Sequence, residues 1–188
     1  MKVLFIRHGE PNYENVSNLN LVSYLGELTI DGLQQAERVA VQPELYEAEI
    51  IVASPFTRAL QTAAIISRTK RLPIYVEPRL HEWLCDKSHQ RTLDNEYGKN
   101  SYREFVRHKG VRDENCEYNW ESAQEIAARA YPVIEKYRAL GYTKIIVVAH
   151  AMLIRTFGYA EQEFPYCGIY PMEFTKDTKY NGFVPWNG

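Results

Sequence analysis

Histidine and arginine side chains stand just after apolar stretches of the sequence, where the strands of a sheet would end: Arg7, His8, Arg58 and His150. An imidazole at such a position can act as a nucleophile or a base, and a guanidinium can donate paired hydrogen bonds to phosphate oxygens. Open α/β sheets bind their ligands at the carboxyl ends of the strands, so we expect these side chains to meet at one edge. Their convergence predicts a site for an anionic ligand.

The segments that must position these side chains alternate between short apolar runs and helical spacing, which predicts an α/β fold with a mostly parallel central sheet. Helices on both faces would give a three-layer α/β/α arrangement, with the catalytic site at the carboxyl ends of the strands. The candidate strands are Lys2–Ile6, Glu49–Ala53, Pro73–Glu77 and Lys144–Ala149. The tail after Gly168 predicts an edge strand, because only an edge tolerates a proline such as Pro171.

Capping signals predict where the helices begin. Thr29 offers a capping hydroxyl to a first helix. Leu33, Ala36 and Ala40 recur at helical spacing and would form the face of this helix that packs against the sheet.

Two further helix starts carry capping signals. Ser54 ahead of Pro55 predicts a capping hydroxyl before a proline at the first helical position. Ser122 with Glu125 predicts a capping box that opens a helix running to about Leu140.

One segment interrupts the alternation of strands and helices. Residues from about 83 to 120 mix charged and aromatic side chains, which favours a small inserted cap, or a long excursion over one end of the sheet. We expect it to belong to a single domain that spans residues 1–188. Its candidate contacts to a ligand are Arg91, Tyr97, Tyr102, Arg103 and Arg107.

The charge and composition exclude several function classes. The chain has 188 residues, with 22 Lys and Arg against 24 Asp and Glu, so its net charge is −2. This balance argues against nucleic acid or an anionic membrane as a partner, because both require a basic surface. No apolar run approaches the roughly 20 residues of a membrane span, and the apolar start before Arg7 is too short for a secretory signal. Cys85, Cys116 and Cys167 are odd in number and widely spaced, which predicts free thiols and a cytoplasmic location.

Several motifs occur in an order that is typical of one family. They are Arg7-His8-Gly9-Glu10, Leu28–Ala36, Ser54–Ala63, Leu80-His81-Glu82 and the strand that ends in His150. On these motifs the chain resembles the histidine phosphatase superfamily, also called the phosphoglycerate-mutase-like proteins, over residues 3 to about 157.

The resemblance implies a role for each matching side chain. His8 would accept the phosphoryl group from the substrate, while Arg7, Arg58 and His150 hold the phosphoryl oxygens. Glu82 would protonate the leaving oxygen, which requires a raised pKa near neutral pH.

The resemblance also implies contacts around the phosphate. The backbone of Ala151 would bind the phosphate, and Glu10 and Asn12 are candidates for the lining of the substrate pocket, with a solvated loop as the alternative for both. The chemistry would need neither a metal ion nor another cofactor.

The chain departs from the family's usual pattern at two places. Ala151 stands where most members have glycine, and alanine narrows the backbone conformations that can contact phosphate. Residues 83–87 lack the basic and glycine-rich pattern with which the glycolytic mutases recognise phosphoglycerate, and the chain is shorter than a typical mutase. We therefore expect a phosphatase rather than a mutase. It would act on a phosphorylated small molecule or a phosphopeptide, as a monomer or a homodimer.

Other hypotheses remain open at this point. One is a mutase or phosphotransferase of the same fold, and another is a phosphate-binding regulatory domain with little turnover, although such a domain has no use for Glu82. Cys85 and Arg91 have the spacing of cysteine-dependent phosphatases, but the loop between them has no glycine to cradle phosphate. His81, Cys85 and His89 recur at four-residue intervals, but no helical pattern surrounds them, which disfavours a metal site.

Overall fold

A computed structural model describes residues 1–13, 24–88, 95–158 and 164–183. The strands are β1 Lys2–Arg7, β2 Ile50–Ala53, β3 Ile74–Val76, β4 Lys144–Ala149 and β5 Ile169–Glu173. They form one sheet of five strands in the order β3-β2-β4-β1-β5. Strand β5 runs antiparallel to β1, and the other pairings are parallel. The prediction of a mostly parallel sheet is confirmed.

Helices connect the strands, as the alternating pattern predicts. They are α1 Ile30–Ala40, α2 Thr57–Lys70, α3 Asn95–Arg107, α4 Ala123–Ala139 and α5 Ala151–Arg155, with short 3-10 turns at Pro43–Leu45 and Pro78–Leu80. Within the described ranges, no helix has the length and apolar character that crossing a membrane requires.

Apolar side chains pack on both faces of the sheet. Val3 and Phe5 of β1 belong to the core cluster that contains the buried face of α4. Leu4 and Ile6 point the other way and pack with the buried faces of α1 and α2. Because successive strand residues point to opposite faces, β1 is apolar at each of these positions. The three-layer α/β/α arrangement is thereby confirmed.

The strand bounds differ slightly from the predicted ones. Strand β1 continues past Ile6, because Arg7 pairs with Ala149 of β4. The predicted edge strand after Gly168 is confirmed as β5, in which Pro171 lies opposite Leu4. An edge strand has a neighbour on one side only, so it can accommodate a residue without an N–H.

Helix α1 begins where the sequence predicts, but it buries a different face. Thr29 caps the helix by accepting a hydrogen bond from the Gly32 N–H at 2.9 Å. The placement of Leu33 on the buried face is wrong, because this side chain is 39% exposed. The buried residues are Gly32, Ala36, Val39 and Ala40. Gly32 faces the loop after β1 at close range, and this contact turns Leu33 outward.

The predicted cap of helix α2 is also wrong. The helix begins at Thr57, and its N-cap residue is Phe56, which makes no side-chain capping bond. The hydroxyl of Ser54 is buried at the end of β2, where it accepts a hydrogen bond from the Phe56 N–H at 3.3 Å and lies 2.7 Å from His150 Nε2. The Ser54 hydroxyl therefore contacts His150, which follows the neighbouring strand β4, instead of capping helix α2.

Helix α4 opens with the predicted capping box. The Ser122 hydroxyl accepts a hydrogen bond from the Glu125 N–H, and the Glu125 carboxylate accepts one from the Ser122 N–H. The helix runs through Pro132 and ends at Ala139, one residue before the predicted end.

Residues 83–120 contribute to a small third core, separate from the two that cover the faces of the sheet. Phe105 of α3 and Trp120 are fully buried against Ala123, Met152 and Phe183. Residues 89–94 lie outside the described ranges, so the prediction for Arg91 cannot be compared with the structure. The assignment of this segment as an inserted cap stays a prediction.

The loop after β1 touches the first turn of α1 through the backbone. A Cβ added to Gly9 would lie 2.5 Å from the Gly32 carbonyl oxygen, and one added to Gly32 would lie 2.3 Å from the Glu10 carbonyl oxygen. Both distances are far shorter than van der Waals contact, so neither position has room for a side chain. Because Gly9 directly follows His8, this contact fixes the backbone that carries the imidazole.

We predict that Gly32→Ala lowers the free energy of unfolding by about 1–3 kcal/mol, because the added methyl group collides with backbone. Gly98→Ala in α3 is the matched control, since no described atom lies within 4 Å of its added Cβ. The control should raise the free energy of unfolding by about 0.5–1 kcal/mol, because alanine favours a helix. Urea unfolding of both variants makes the comparison, and equal effects would contradict the contact.

Candidate active site

The carboxyl ends of β1, β2 and β4 bring the predicted imidazoles and a guanidinium together. The Nε of Arg58 lies 3.1 Å from His8 Nε2, and its Nη2 lies 3.3 Å from His150 Nδ1. The two imidazole rings are 5.0 Å apart between centroids. All three residues are at most 3% exposed. The sequence prediction that these residues meet agrees with this geometry.

The hydrogen bonds around His8 define its tautomer. Its Nδ1 lies 2.7 Å from the Gly9 carbonyl oxygen, which can only accept, so Nδ1 carries the proton. Its Nε2 receives the Nε–H of Arg58, which can only donate, so Nε2 carries a lone pair. The nitrogen that faces the site is therefore the one that can attack an electrophile.

The surroundings of His8 also keep its ring neutral. Burial lowers the pKa of His8 well below its ordinary value, and the positive charges of Arg58 and Arg7 lower it further. The hydrogen bond to the Gly9 carbonyl opposes this shift, because it stabilises the protonated ring. At neutral pH the imidazole is thus a neutral base with an available lone pair.

Helix α2 holds Arg58 through a neighbouring hydroxyl. Thr62 donates a hydrogen bond to the Arg58 carbonyl oxygen at 2.8 Å and accepts one from the Gly9 N–H at 3.1 Å. The same buried side chain therefore ties the first turn of α2 to the loop that follows His8. This arrangement fixes the guanidinium relative to the imidazole.

His150 is oriented from two sides. Arg58 donates to its Nδ1, so its Nε2 carries the proton and donates to the Ser54 hydroxyl at 2.7 Å. Burial lowers the pKa of His150 well below its ordinary value, and the charge of Arg58 adds to the effect. In the absence of a bound anion His150 is therefore neutral.

Arg7 stands at the edge of the same group. It donates a hydrogen bond to the carbonyl oxygen of Phe164, and its guanidinium carbon lies 4.0 Å above the ring of Tyr166. Its buried Nε makes no hydrogen bond within the part of the chain that the structure describes. A buried donor of this kind is costly unless an acceptor reaches it, and an oxyanion would supply one.

Glu82 completes the group, after the turn that follows β3. One carboxylate oxygen accepts the Trp83 N–H at 2.8 Å, and the other lies 4.0 Å from His150 Nδ1. Burial raises the pKa of Glu82 above its ordinary value, although the Trp83 hydrogen bond and the charges of Arg58 and Arg7 oppose the shift. The carboxyl group thus keeps its proton to a higher pH than an exposed glutamate.

A buried ion pair fixes the backbone around Glu82. The guanidinium of Arg129 donates to both carboxylate oxygens of Glu121, at 2.5 and 3.0 Å. It also donates to the carbonyl oxygens of Arg79 and Glu82, at 2.6 and 3.4 Å. Glu121 in turn accepts the Leu84 N–H at 3.3 Å. The backbone before and after Glu82 is therefore held in place by hydrogen bonds to Arg129 and Glu121.

A cavity of about 480 Å³ opens beside Arg7 and Glu82, and His8, Arg58 and His150 are not among its described lining residues. Its lining includes Arg7, Glu82, Tyr102, Ala151 and Arg155. Of the candidates for ligand contact in residues 83–120, only Tyr102 is among the described lining residues. Ala151 is the first residue of α5 and also lines the cavity, as a backbone contact to phosphate would require.

The remaining candidates make other contacts. The Glu10 carboxylate accepts a hydrogen bond from the Thr29 hydroxyl at 3.0 Å, so it supports the start of α1. The Asn12 N–H donates to the Glu27 carbonyl oxygen at 2.7 Å. Neither residue is among the described lining of the cavity, and their assignment to the substrate stays a prediction.

The other candidates in α3 also lie elsewhere. The ring of Tyr97 packs edge-on against Tyr118 with centroids 5.0 Å apart. Arg103 bonds to Asn100, and Arg107 bonds to Glu104 within the same helix.

The structure supports neither the cysteine-phosphatase motif of Cys85 and Arg91 nor the metal site of His81, Cys85 and His89. Burial raises the pKa of the Cys85 thiol, whereas a nucleophilic cysteine needs a lowered one. His81 and Cys85 lie in a stretch without helical structure, so they do not share a helix face. Arg91 and His89 lie outside the described residues.

Sequence reasoning missed two residues at the site. Tyr166 lies under Arg7, and its ring centroid is 5.8 Å from that of His8. It comes from the irregular segment before β5, and no local pattern marks it. Arg155 is only 7% exposed and lines the cavity. Arg155 follows Ala151 by four residues and so lies on the same helix face, and this spacing could have predicted that it reaches the cavity.

Comparisons with known proteins identify the family of the chain. The sequence profile of the histidine phosphatase superfamily (branch 1) matches residues 3–178. The chain therefore belongs to the histidine phosphatase superfamily. A search of curated protein sequences found no significant match.

Solved structures share the fold at low sequence identity. Mycobacterial glucosyl-3-phosphoglycerate phosphatase is 23% identical, with a TM-score of 0.63, and the match covers 82% of this chain and 76% of that one. The protein YhfR of Bacillus stearothermophilus is 18% identical, with a TM-score of 0.71 and coverage of 97% and 95%. The α-ribazole phosphatase of Shigella flexneri is 17% identical, with a TM-score of 0.65 and coverage of 100% and 96%.

We predict that Arg58→Gln raises the pKa of His8, because the variant removes the positive charge beside Nε2. Burial remains, so the pKa should stay below about 6.5, the ordinary value for histidine. Titration of the imidazole signals by NMR measures the shift. Arg68→Gln, at an exposed position of the same helix, should leave the pKa of His8 unchanged. Equal titration curves for all three proteins would contradict the charge contact.

Proposed function

We propose that the chain is a phosphatase that hydrolyses phosphomonoesters through a phosphohistidine intermediate on His8, with Glu82 as the proton donor. The observation that carries this proposal is the neutral Nε2 of His8, held 3.1 Å from the buried guanidinium of Arg58. A lone pair beside a fixed cation suits attack on an anionic phosphorus centre, because the cation neutralises the charge that otherwise repels the nucleophile.

In the first step, Nε2 of His8 attacks phosphorus in line with the ester oxygen. The N–P bond forms while the P–O bond to the leaving group breaks, and the Glu82 carboxyl group gives its proton to the leaving oxygen. The alcohol departs and Glu82 becomes a carboxylate. The ring gains positive charge, which the Nδ1–H bond to the Gly9 carbonyl stabilises.

In the second step, water attacks the phosphohistidine. The Glu82 carboxylate takes a proton from the water, an O–P bond forms, and the N–P bond breaks. Inorganic phosphate leaves, the lone pair returns to Nε2, and Glu82 is again protonated. Arg7, Arg58 and His150 hold the phosphoryl oxygens throughout, and Arg58 exchanges its bond to Nε2 for one to phosphate.

The protonation states define a pH window. The first step needs a neutral His8 and a protonated Glu82. Activity is lost as the pH falls through the lowered pKa of His8, and it is lost as the pH rises through the raised pKa of Glu82. The optimum therefore lies between the pKa of His8 and the pKa of Glu82, and we propose that the enzyme is of the histidine acid phosphatase type.

Two observations favour hydrolysis over the alternatives. A phosphate-binding regulatory domain needs only the cations, whereas the structure also holds a partly buried carboxyl group with a raised pKa beside them. The solved structures of similar fold include proteins named as phosphatases of glucosyl-3-phosphoglycerate and of α-ribazole phosphate, which supports hydrolysis over transfer to a second substrate hydroxyl. The cavity volume suits a phosphorylated small molecule.

We predict that the protein releases inorganic phosphate from p-nitrophenyl phosphate and that His8→Ala lowers kcat at least about 1,000-fold, because it removes the nucleophile. A phosphate-release assay under saturating substrate makes the measurement. Arg68→Gln, at an exposed position in the last turn of α2, is the control and should keep the original rate. If His8→Ala hydrolyses as fast as the unaltered protein, the chemistry occurs elsewhere.

We predict that the effect of Glu82→Gln depends on the leaving group. For an alkyl phosphate kcat/KM, which reports the first step and not the attack of water, should fall by about 10²–10⁴, because the alkoxide must be protonated as it leaves. For p-nitrophenyl phosphate the loss should be much smaller, because the nitrophenolate leaves without a proton.

Steady-state kinetics on both substrates tests the role of Glu82. Glu96→Gln, at an exposed position of α3, should leave both rates unchanged. A uniform loss on both substrates would assign Glu82 to binding rather than to proton transfer.

A further inference from the structure

Side chains of types that commonly bind metal ions lie close together within residues 104–118, away from the proposed active site. A carboxylate oxygen of Glu104, Nδ1 of His108 and Sγ of Cys116 all lie within 4.8 Å of one another. Asp113 adds a second carboxylate, with one oxygen 3.9 Å from His108 Nδ1 and the other 3.8 Å from Cys116 Sγ. The described lining of the cavity contains none of these residues, so the cluster is separate from the proposed active site.

The spacing of the donor atoms is close to that around a tetrahedral metal ion. With metal–ligand bonds of about 2.0–2.3 Å, neighbouring nitrogen, oxygen and sulfur ligands of zinc lie about 3.4–3.6 Å apart. The distance from Cys116 Sγ to His108 Nδ1 is 3.7 Å, and the two contacts of Asp113 are 3.8 and 3.9 Å. The His108 and Cys116 donors therefore need to move by only a few tenths of an ångström. Asp113 meets them through different oxygens, so its carboxylate must also turn to place one oxygen on the ion.

Glu104 connects helix α3 to the loop that contains Asp113 and Cys116. Its carboxylate accepts hydrogen bonds from the Glu117 N–H at 2.9 Å, the Tyr118 N–H at 3.0 Å and the Trp120 Nε1–H at 2.8 Å. These bonds fix the loop after Cys116 against α3. The His108 N–H bonds to the Glu104 carbonyl oxygen at 2.9 Å, so the imidazole follows one helical turn later. The donors are thus brought together before any ion binds.

The same hydrogen bonds decide the role of Glu104. Each of its carboxylate oxygens already accepts from backbone or from Trp120, so it has little capacity left for a metal bond. Its negative charge lies beside the cluster, although it is already paired with the Arg107 guanidinium at 3.4 Å. The direct ligands are therefore best sought among His108, Asp113 and Cys116.

We propose that His108, Asp113 and Cys116 bind a divalent cation of the zinc type, with a water molecule in the fourth position. Thiolate, imidazole and carboxylate together suit zinc, whereas magnesium and calcium prefer oxygen ligands alone. Binding converts the Cys116 thiol to a thiolate, so one proton passes to solvent as the metal–sulfur bond forms.

The ion would tie the loop of residues 113–118 to the end of α3. This loop leads to Trp120, which is fully buried in the small aromatic core, and then to Glu121, which holds the backbone around Glu82. The metal site would therefore stabilise the structure beside the cavity, and the proposed chemistry on His8 would not require the ion. Loss of metal binding and loss of phosphatase activity are thus separate outcomes.

The first test is the zinc content of protein that has been stripped with a chelator, incubated with Zn²⁺ and passed through a desalting column. We expect about one ion per chain for the unaltered protein and for Cys85→Ser, the matched thiol control. Cys116→Ser and His108→Gln should lose most of the zinc, to roughly a tenth of that amount or less. Elemental analysis by mass spectrometry measures the content, and equal zinc in all four proteins would overturn the proposal.

A second readout separates a thiolate-bound ion from adventitious binding at the surface. Titration of the stripped protein with Cd²⁺ should produce a thiolate-to-metal absorption band in the unaltered protein and in Cys85→Ser, but not in Cys116→Ser. Zinc at about 100 times its Kd should raise the Tm by roughly 5 °C or more, and Cys116→Ser should show no rise. Cooperative unfolding of the stripped variants shows that they fold. Absence of both the band and the Tm shift would mean that the three side chains are only hydrogen-bonded to one another.

Discussion

The contact between Arg58 and His8 is the interaction on which the proposed chemistry depends. A guanidinium N–H can only donate, so the imidazole nitrogen that receives it must carry a lone pair. The same side chain makes an equivalent bond to His150, which fixes the tautomer of the second ring as well. Burial and the guanidinium charge act in the same direction, since both keep His8 unprotonated. In the proposed reaction, an incoming phosphate takes over the donors of Arg58 and leaves the His8 ring in place.

The order of the strands explains why these groups meet. Strand β4 lies between β1 and β2, so the residues that follow the three strands stand side by side at one edge of the sheet. His8 follows β1, His150 follows β4, and Arg58 enters from the first turn of the helix after β2. Parallel pairing is essential, because an antiparallel neighbour would bring the opposite end of its strand to this edge. The close backbone contact of Gly9 then fixes the loop that carries His8.

The sequence predicts most of this framework, because buried strands and capped helices leave local patterns. It fails where a distant partner decides the outcome. Ser54 has the local signature of a helix cap, but His150 from the adjacent strand uses its hydroxyl. Leu33 has helical spacing, but the close approach at Gly32 turns it toward solvent. Tyr166 reaches His8 from an irregular segment, and no periodicity marks such a residue.

If the proposed chemistry is right, one imidazole nitrogen carries the phosphoryl group during turnover. Rapid quenching in alkali during steady hydrolysis of p-nitrophenyl phosphate, followed by peptide mass spectrometry, tests it directly. The peptide that contains His8 should carry the mass of one phosphoryl group, and the corresponding peptide of His8→Ala should not. Steady release of phosphate with that ring never modified, or with the group on another residue, would contradict it.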